Sequence, residues 1–159
     1  MKITVLTVGK IKEKFYTAAI DEYSKRLSRY CKLNIIQVAD EKTIENSTEK
    51  EMDIIKAKEG EIILKNIPDD AFVITLEING KMLDSEELAD KINKLGIMGE
   101  SHIVFVIGGS LGLHQDVSKR ANFKLSFSKM TFPHQLMRVI LLEQIYRSYR
   151  IINNEPYHK

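Results

Sequence analysis

The chain has 159 residues, 43% of them apolar, one cysteine and a formal charge of only +2. Such a length suits a single domain spanning residues 1–159 that buries about 70% of the surface of its unfolded chain, with no need of a disulfide or structural metal. A lone Cys31 excludes an internal disulfide framework and fits a reducing compartment, with the thiol read as a small buried apolar group. The opening run Met1–Lys10 is too short for a secretory signal, and the longest apolar stretch, 136–145, is broken by Arg138, Glu143 and Gln144. A soluble cytoplasmic protein is therefore expected.

In chain order, apolar and β-branched runs predict strands at Ile3–Val8, Leu33–Val38, Phe72–Ile78 and Ile103–Ile107, with a weaker fifth at Phe123–Phe127. Helical patterns separate them. Phe15, Ala19, Tyr23, Leu27 and Tyr30 fall on one stripe; Thr48 and Glu51 form a capping-box start for a helix reaching Asn66; and Asp84 caps a third helix from Ser85 to Leu95. Gly60 is a weak point or a close-packing site within the second of these helices, and residues 39–47 read as a polar loop. Asn46-Ser-Thr48 fits a loop and helix cap better than a glycosylation acceptor. Pro133 opens the last helix. Strands that are for the most part apolar throughout and alternate with helices predict an α/β fold, a mostly parallel sheet covered on both faces.

The last helix is apolar in most directions, with Glu143, Arg147 and Arg150 gathered on one side and Arg138 among Leu141, Leu142, Ile145 and Tyr149. A helix of this kind needs cover on most sides, which predicts a partner subunit. Arg138 is either a rim arginine, snorkelling or paired to a carboxylate, or a substrate or interface residue.

The modest overall charge hides a split. From residue 119 onward eight Lys or Arg face two acids, so this segment carries +6 while residues 1–118 carry −4. The same third of the chain holds the turn Gly108-Gly-Ser-Leu-Gly112, which is neither a dinucleotide fingerprint nor a phosphate loop but lets a ligand approach main-chain groups at a strand end. On this reading Gly108→Val blocks the ligand and leaves the fold intact. Ser110, Asp116 and His134 also match the order of a serine hydrolase, although Asp116 lies only six residues beyond Ser110. His102, His114, His134 and His158 show no metal-ligand spacing, and no metal is expected. The stretch Leu125–Phe132 can close over a flat heteroaromatic ligand or form an edge strand and loop, and the tail Tyr157-His158-Lys159 is either disordered or suited to RNA contacts.

The combination FVIGGSLGL, LSFSKMTFPHQLMRVILLEQIYR and PYHK, with the start MKITVLTVGK, resembles the RlmH family of SPOUT-class methyltransferases over essentially the whole chain. The resemblance implies a C-terminal trefoil knot, a homodimer and S-adenosylmethionine as methyl donor. It also implies, as partner and substrate, the pseudouridine-bearing hairpin of 23S ribosomal RNA in assembled ribosomes, methylated at N3, with no part for a membrane or DNA. Carried onto this sequence, it places the cofactor at Leu76, Gly108 and the loop Phe127, Ser128, Lys129, Met130, Thr131 and Phe132. The polar candidates for catalysis are then Arg138, Tyr157 and His158, with His134 beside them. Leu111 stands where many relatives carry an acid, so no loop carboxylate is available there as base. A ribosome-binding factor without enzymatic activity is the rival from another class; it accounts for the charge split but not for the glycine turn.

Overall fold

The computed structural model describes residues 1–42 and 45–159. Strands β1 (Lys2–Val8), β2 (Lys32–Val38), β3 (Phe72–Met82), β4 (His102–Ile107) and β5 (Phe123–Ser126) alternate with helices α1 (Lys14–Leu27), α2 (Glu49–Lys65), α3 (Ser85–Ile97), α4 (Gln115–Arg120) and α5 (His134–Ile152). The strands form one sheet in the order β2-β1-β4-β3-β5, and every pairing is parallel. A parallel sheet needs cover on both faces because its strands are joined by crossovers. Here Ile3, Val5, Ile103 and Phe105 pack on one face with Leu27 of α1, Leu88 and Ile92 of α3, and Leu141 and Ile145 of α5. On the other, Leu6, Val8, Val104 and Val106 meet Ile63 of α2 and Val117 of α4.

Local chemistry explains most boundaries. The Thr48 side chain accepts from Glu51 N at 3.1 Å, but the Glu51 carboxylate takes the Thr48 hydroxyl, so the cap at α2 is half the expected box; Asp84 and Glu87 complete one at α3. Gly60 is a close-packing site, since a Cβ there would sit 3.2 Å from His114 Cβ. Cys31 is buried, and burial pushes its thiol up to about 11. The polar loop expected at 39–47 lies partly outside the described residues.

Three features depart from the sequence reading. Phe15 is 66% exposed at the start of α1, so the stripe buries its far end, Leu27, rather than its whole length. The six-residue α4, capped by the His114 side chain, has too few turns to show a hydrophobic period. Finally, β3 runs on to Met82 through a bulge: Leu76 and Lys81 both face Leu125, so residues 77–80 leave the ladder. Gly80 makes this possible, because a Cβ there would lie 2.7 Å from Lys124 O.

Candidate functional site

The bulge opens a cleft. At the carboxyl ends of β3, β4 and β5, where open parallel sheets place their ligands, a cavity of about 460 Å³ is lined by Leu76–Asn79, the turn Gly108–Leu113 and residues of the segment 127–132. Met137 and His134 of α5 complete the wall. All the residues expected to hold a cofactor line this cleft except Lys129, which is exposed and lies outside the lining. Glu77, Ile78, Asn79 and Met137 are additions that the sequence reading missed. The dipeptide Asn79-Gly80, a turn signal inside a strand pattern, was the available clue.

Each glycine of the turn has a reason of its own. Gly112 has φ +84° and closes the turn by donating to Gly109 O at 3.1 Å, while a Cβ on Gly108 would lie 3.0 Å from both Gly112 C and Leu113 Cδ2. Gly108 is thus needed for the turn itself, and a valine there would distort the main chain as well as obstruct a ligand. The segment 127–132 is held from within: the Ser126 hydroxyl donates to Ser128 O at 3.1 Å, and Met130 N donates to Ser128 Oγ at 3.0 Å. It leaves Met130 74% exposed, an apolar side chain without cover at the cleft.

Next to the cleft, Arg138 is 2% exposed and pairs with no carboxylate among the described residues. It is neither a snorkelling rim residue nor half of an ion pair. Its Nη2 donates to Val8 O at 2.8 Å and Gly9 O at 2.9 Å, whereas Nε and Nη1 have no hydrogen-bond partner among the described residues. Burial pulls its pKa down, yet a guanidinium stays charged in proteins, so two unpaired nitrogens of a charged group, with three N–H donors, are stored at the end of β1. Burial and the Arg138 charge push His134 below its ordinary value against the opposing pull of Asp40, which keeps the imidazole neutral at pH 7.

The tail is docked rather than disordered. Glu155 accepts from Tyr30 Oη at 2.8 Å and Arg150 Nη1 at 2.7 Å, and Arg150 Nη2 donates to Pro156 O. Tyr157 packs edge-on against Tyr146 at 5.0 Å, under the Arg147 guanidinium at 4.7 Å, and donates to Glu143 Oε1. Burial and the adjacent Glu143 charge raise the Tyr157 pKa. His158 Nδ1 lies 3.0 Å from Arg147 Nη1. Within one chain, therefore, Tyr157 and His158 sit on α5 and line no part of the cleft. The basic segment is also less free than its charge suggests: Arg120 is bonded to the Pro68, Asp69 and Ala71 carbonyls and Arg138 is buried. Arg147 and Arg150 are paired to acids, which leaves Lys119, Lys124, Lys129 and Lys159 exposed.

No serine-hydrolase triad forms, because Asp116 lies beside His114 at 3.5 Å and Ser110 bonds neither it nor His134. A family model described as "Predicted SPOUT methyltransferase" matches residues 1–158. The chain is 65% identical, over all of both sequences, to "Ribosomal RNA large subunit methyltransferase H" of Clostridium botulinum and to the protein of the same name in Clostridium tetani. That of Alkaliphilus oremlandii is 64% identical over the same extent.

Proposed function

Because the chain belongs to the SPOUT methyltransferase family, we propose that it moves a methyl group from S-adenosylmethionine to N3 of a pseudouridine in 23S ribosomal RNA, within assembled ribosomes in the cytoplasm. The observation that carries this reading is the juxtaposition of a main-chain-lined cleft with a buried, half-unpaired arginine. A cavity of about 460 Å³ falls in the range of small-molecule sites. Its apolar walls and glycine backbone suit an adenosine with an amino-acid side arm. Bound there, the cofactor supplies an electrophilic methyl group on a sulfonium.

The chain's own residues do the rest. Leu76, Gly108, Phe127, Ser128, Met130, Thr131 and Phe132 hold the donor, while Lys129 stands outside the lining. Positioning supplies most of the acceleration, since the methyl needs an aligned nucleophile and little else. The imide N3–H must lose its proton. The Arg138 charge stabilises the anion left behind, and an imidazole, His134 in the cleft or His158 of the tail, receives the proton.

Tyr157 and His158 reach a cleft only if it is the partner's, which favours a homodimer. Helix α5 offers the surface, as its Leu136, Val139 and Ile140 remain half-exposed. The family also implies a C-terminal trefoil knot. Four exposed lysines supply affinity without sequence specificity, so recognition rests on RNA shape presented by the ribosome. No helix of the described residues is long and apolar enough to cross a membrane. The test is to incubate ribosomes from a strain lacking the enzyme with labelled donor and map the label by mass spectrometry. Label at N3 of the pseudouridine is expected; label elsewhere, or none on RNA, overturns the proposal.

A further inference from the structure

We propose that Glu77 is the residue by which the cleft distinguishes the cationic methyl donor from its neutral demethylated product, an inference that rests on the cofactor occupying this cleft. The lining is otherwise apolar side chains, glycines, hydroxyls, an amide and the neutral His134; Glu77 alone brings a formal charge. It stands in the bulge of β3, directly after Leu76. Its Oε2 accepts from Thr75 Oγ1 at 2.6 Å and its Oε1 from Ser118 Oγ at 2.8 Å. Both partners are neutral hydroxyls, and no Lys or Arg among the described residues forms an ion pair with it. The two bonds fix the carboxylate in place and leave its charge uncancelled.

A purely structural anchor would not need that charge. Hydroxyls donate and accept alike, so an amide of the same shape can tie β3 to α4 as well as a carboxylate does. The charge has a use in this cleft because donor and product share the adenosine and the amino-acid arm and differ by the methyl and the single positive charge of the sulfonium. A carboxylate in a partly enclosed site attracts the first and is indifferent to the second, so methyl transfer itself removes the attraction and promotes product release. The attraction also acts more on the bound reactant than on the transition state, where the sulfur charge is already falling. Its loss raises KM and does not lower kcat.

The experiment is calorimetric titration of the full-length protein with S-adenosylmethionine and with S-adenosylhomocysteine, on wild type and Glu77→Gln. The variant is expected to lose about tenfold in donor affinity, a factor reduced by solvent screening in the open cleft. Product affinity should change less than about twofold on the same reasoning. Equal losses for both ligands, or no loss for either, would overturn the assignment and leave Glu77 as a tether. Ser118→Ala serves as the control for tethering, because it removes one anchor and keeps the charge; it should retain the preference for donor over product, and a loss of that preference as large as in Glu77→Gln would assign the effect to the tether and overturn the role of the charge. A wild-type protein that binds neither ligand would instead refute the cofactor reading on which the inference stands.

Discussion

The cleft and the tail, both products of the last third of the chain, handle polarity in opposite ways. Around the cleft, groups are left incomplete among the described residues: main chain faces the cavity, Glu77 lacks a cation, and Arg138 keeps two nitrogens unpaired in a buried place. Along the last turns of α5 and the tail, charges are mostly matched: Glu143 serves Arg147 and Tyr157, Glu155 serves Arg150 and Tyr30, and His158 rests on Arg147, while Arg150 Nε is buried without a partner among the described residues. Unpaired buried charge persists only where it is useful or where the surrounding fold is strong enough to hold it. The incomplete region is therefore the one prepared for a ligand. The completed region is a clamp, and any catalytic part it plays must be played from its docked position, against another subunit.

The sharpest way to break this comparison is at Arg138. Arg138→Gln removes the charge and, with a side chain two bonds shorter, gives up the Nη2 bonds to Val8 O and Gly9 O. Methyl transfer in single turnover should fall by about 10²- to 10³-fold, the usual effect of removing a group that stabilises developing charge. Donor affinity measured by calorimetry should stay within about twofold, since Arg138 is not among the residues that line the cleft. A variant with normal single-turnover rates would return the arginine to a structural role.

Deleting Tyr157–Lys159 tests the other region. It removes the Tyr157–Tyr146 and Tyr157–Arg147 ring contacts and the His158–Arg147 bond but leaves the Arg147–Glu143 pair at 2.6 Å intact. Stability should drop by about 1 kcal/mol in denaturant titration. Methyl transfer should fall by about a hundredfold at unchanged donor affinity, if the tail supplies acid–base groups. Mixing this truncated chain with Arg138→Gln should then restore part of the activity, because one of the two clefts in a mixed dimer has both its arginine and a tail. Full activity in the truncated protein alone would mark the tail as a clamp and nothing more.

A smaller effect is expected at the glycine turn. In Gly108→Ala the new Cβ, 3.0 Å from Gly112 C and Leu113 Cδ2, forces the turn to shift by a few tenths of an ångström. Overpacking of this kind costs about 1–3 kcal/mol. Donor binding by calorimetry should weaken by about tenfold if that strain is released only in part. Unchanged affinity in the folded variant would show that the turn does not shape the pocket.

What could be read from the amino acids alone follows the range of the forces involved. The runs Ile3–Val8 and Ile103–Ile107 announced strands because burial on both faces favours apolar and β-branched residues along their length, Thr4 and Thr7 included. The glycine turn and the 127–132 segment were visible as local chemistry, and so was the Glu143–Arg147 pair, by its i,i+4 spacing. The bulge at 77–80 was not, because it depends on Gly80 meeting the Lys124 carbonyl of another strand. Nor were Tyr30–Glu155, 125 residues apart, or the burial of Arg138, which is decided by the end of β1 at the opposite terminus. Long-range contacts of this sort leave no periodic trace in a sequence, and it is they that distinguish the stored charge at the cleft from the paired charge at the tail.

The finest distinction between the two regions concerns the proton, and His134 decides it. Burial and Arg138 lower its pKa below the ordinary 6.5 while Asp40 pulls the other way. Because the folded value lies below the unfolded one, the stability conferred by the neutral ring is complete above the unfolded pKa and is lost as pH falls through the folded value. Proton NMR of the imidazole should therefore show a midpoint under 6.5. Asp40→Asn should move that midpoint lower still, and Arg138→Gln should move it up. If His134 is the group that receives the N3 proton, the acid limb of kcat/KM for methyl transfer must follow the NMR midpoint in Asp40→Asn, a substitution outside the cleft lining. A rate limb that stays in place while the His134 midpoint moves would assign the proton to the tail and make His158, docked on Arg147, the base presented by the second subunit.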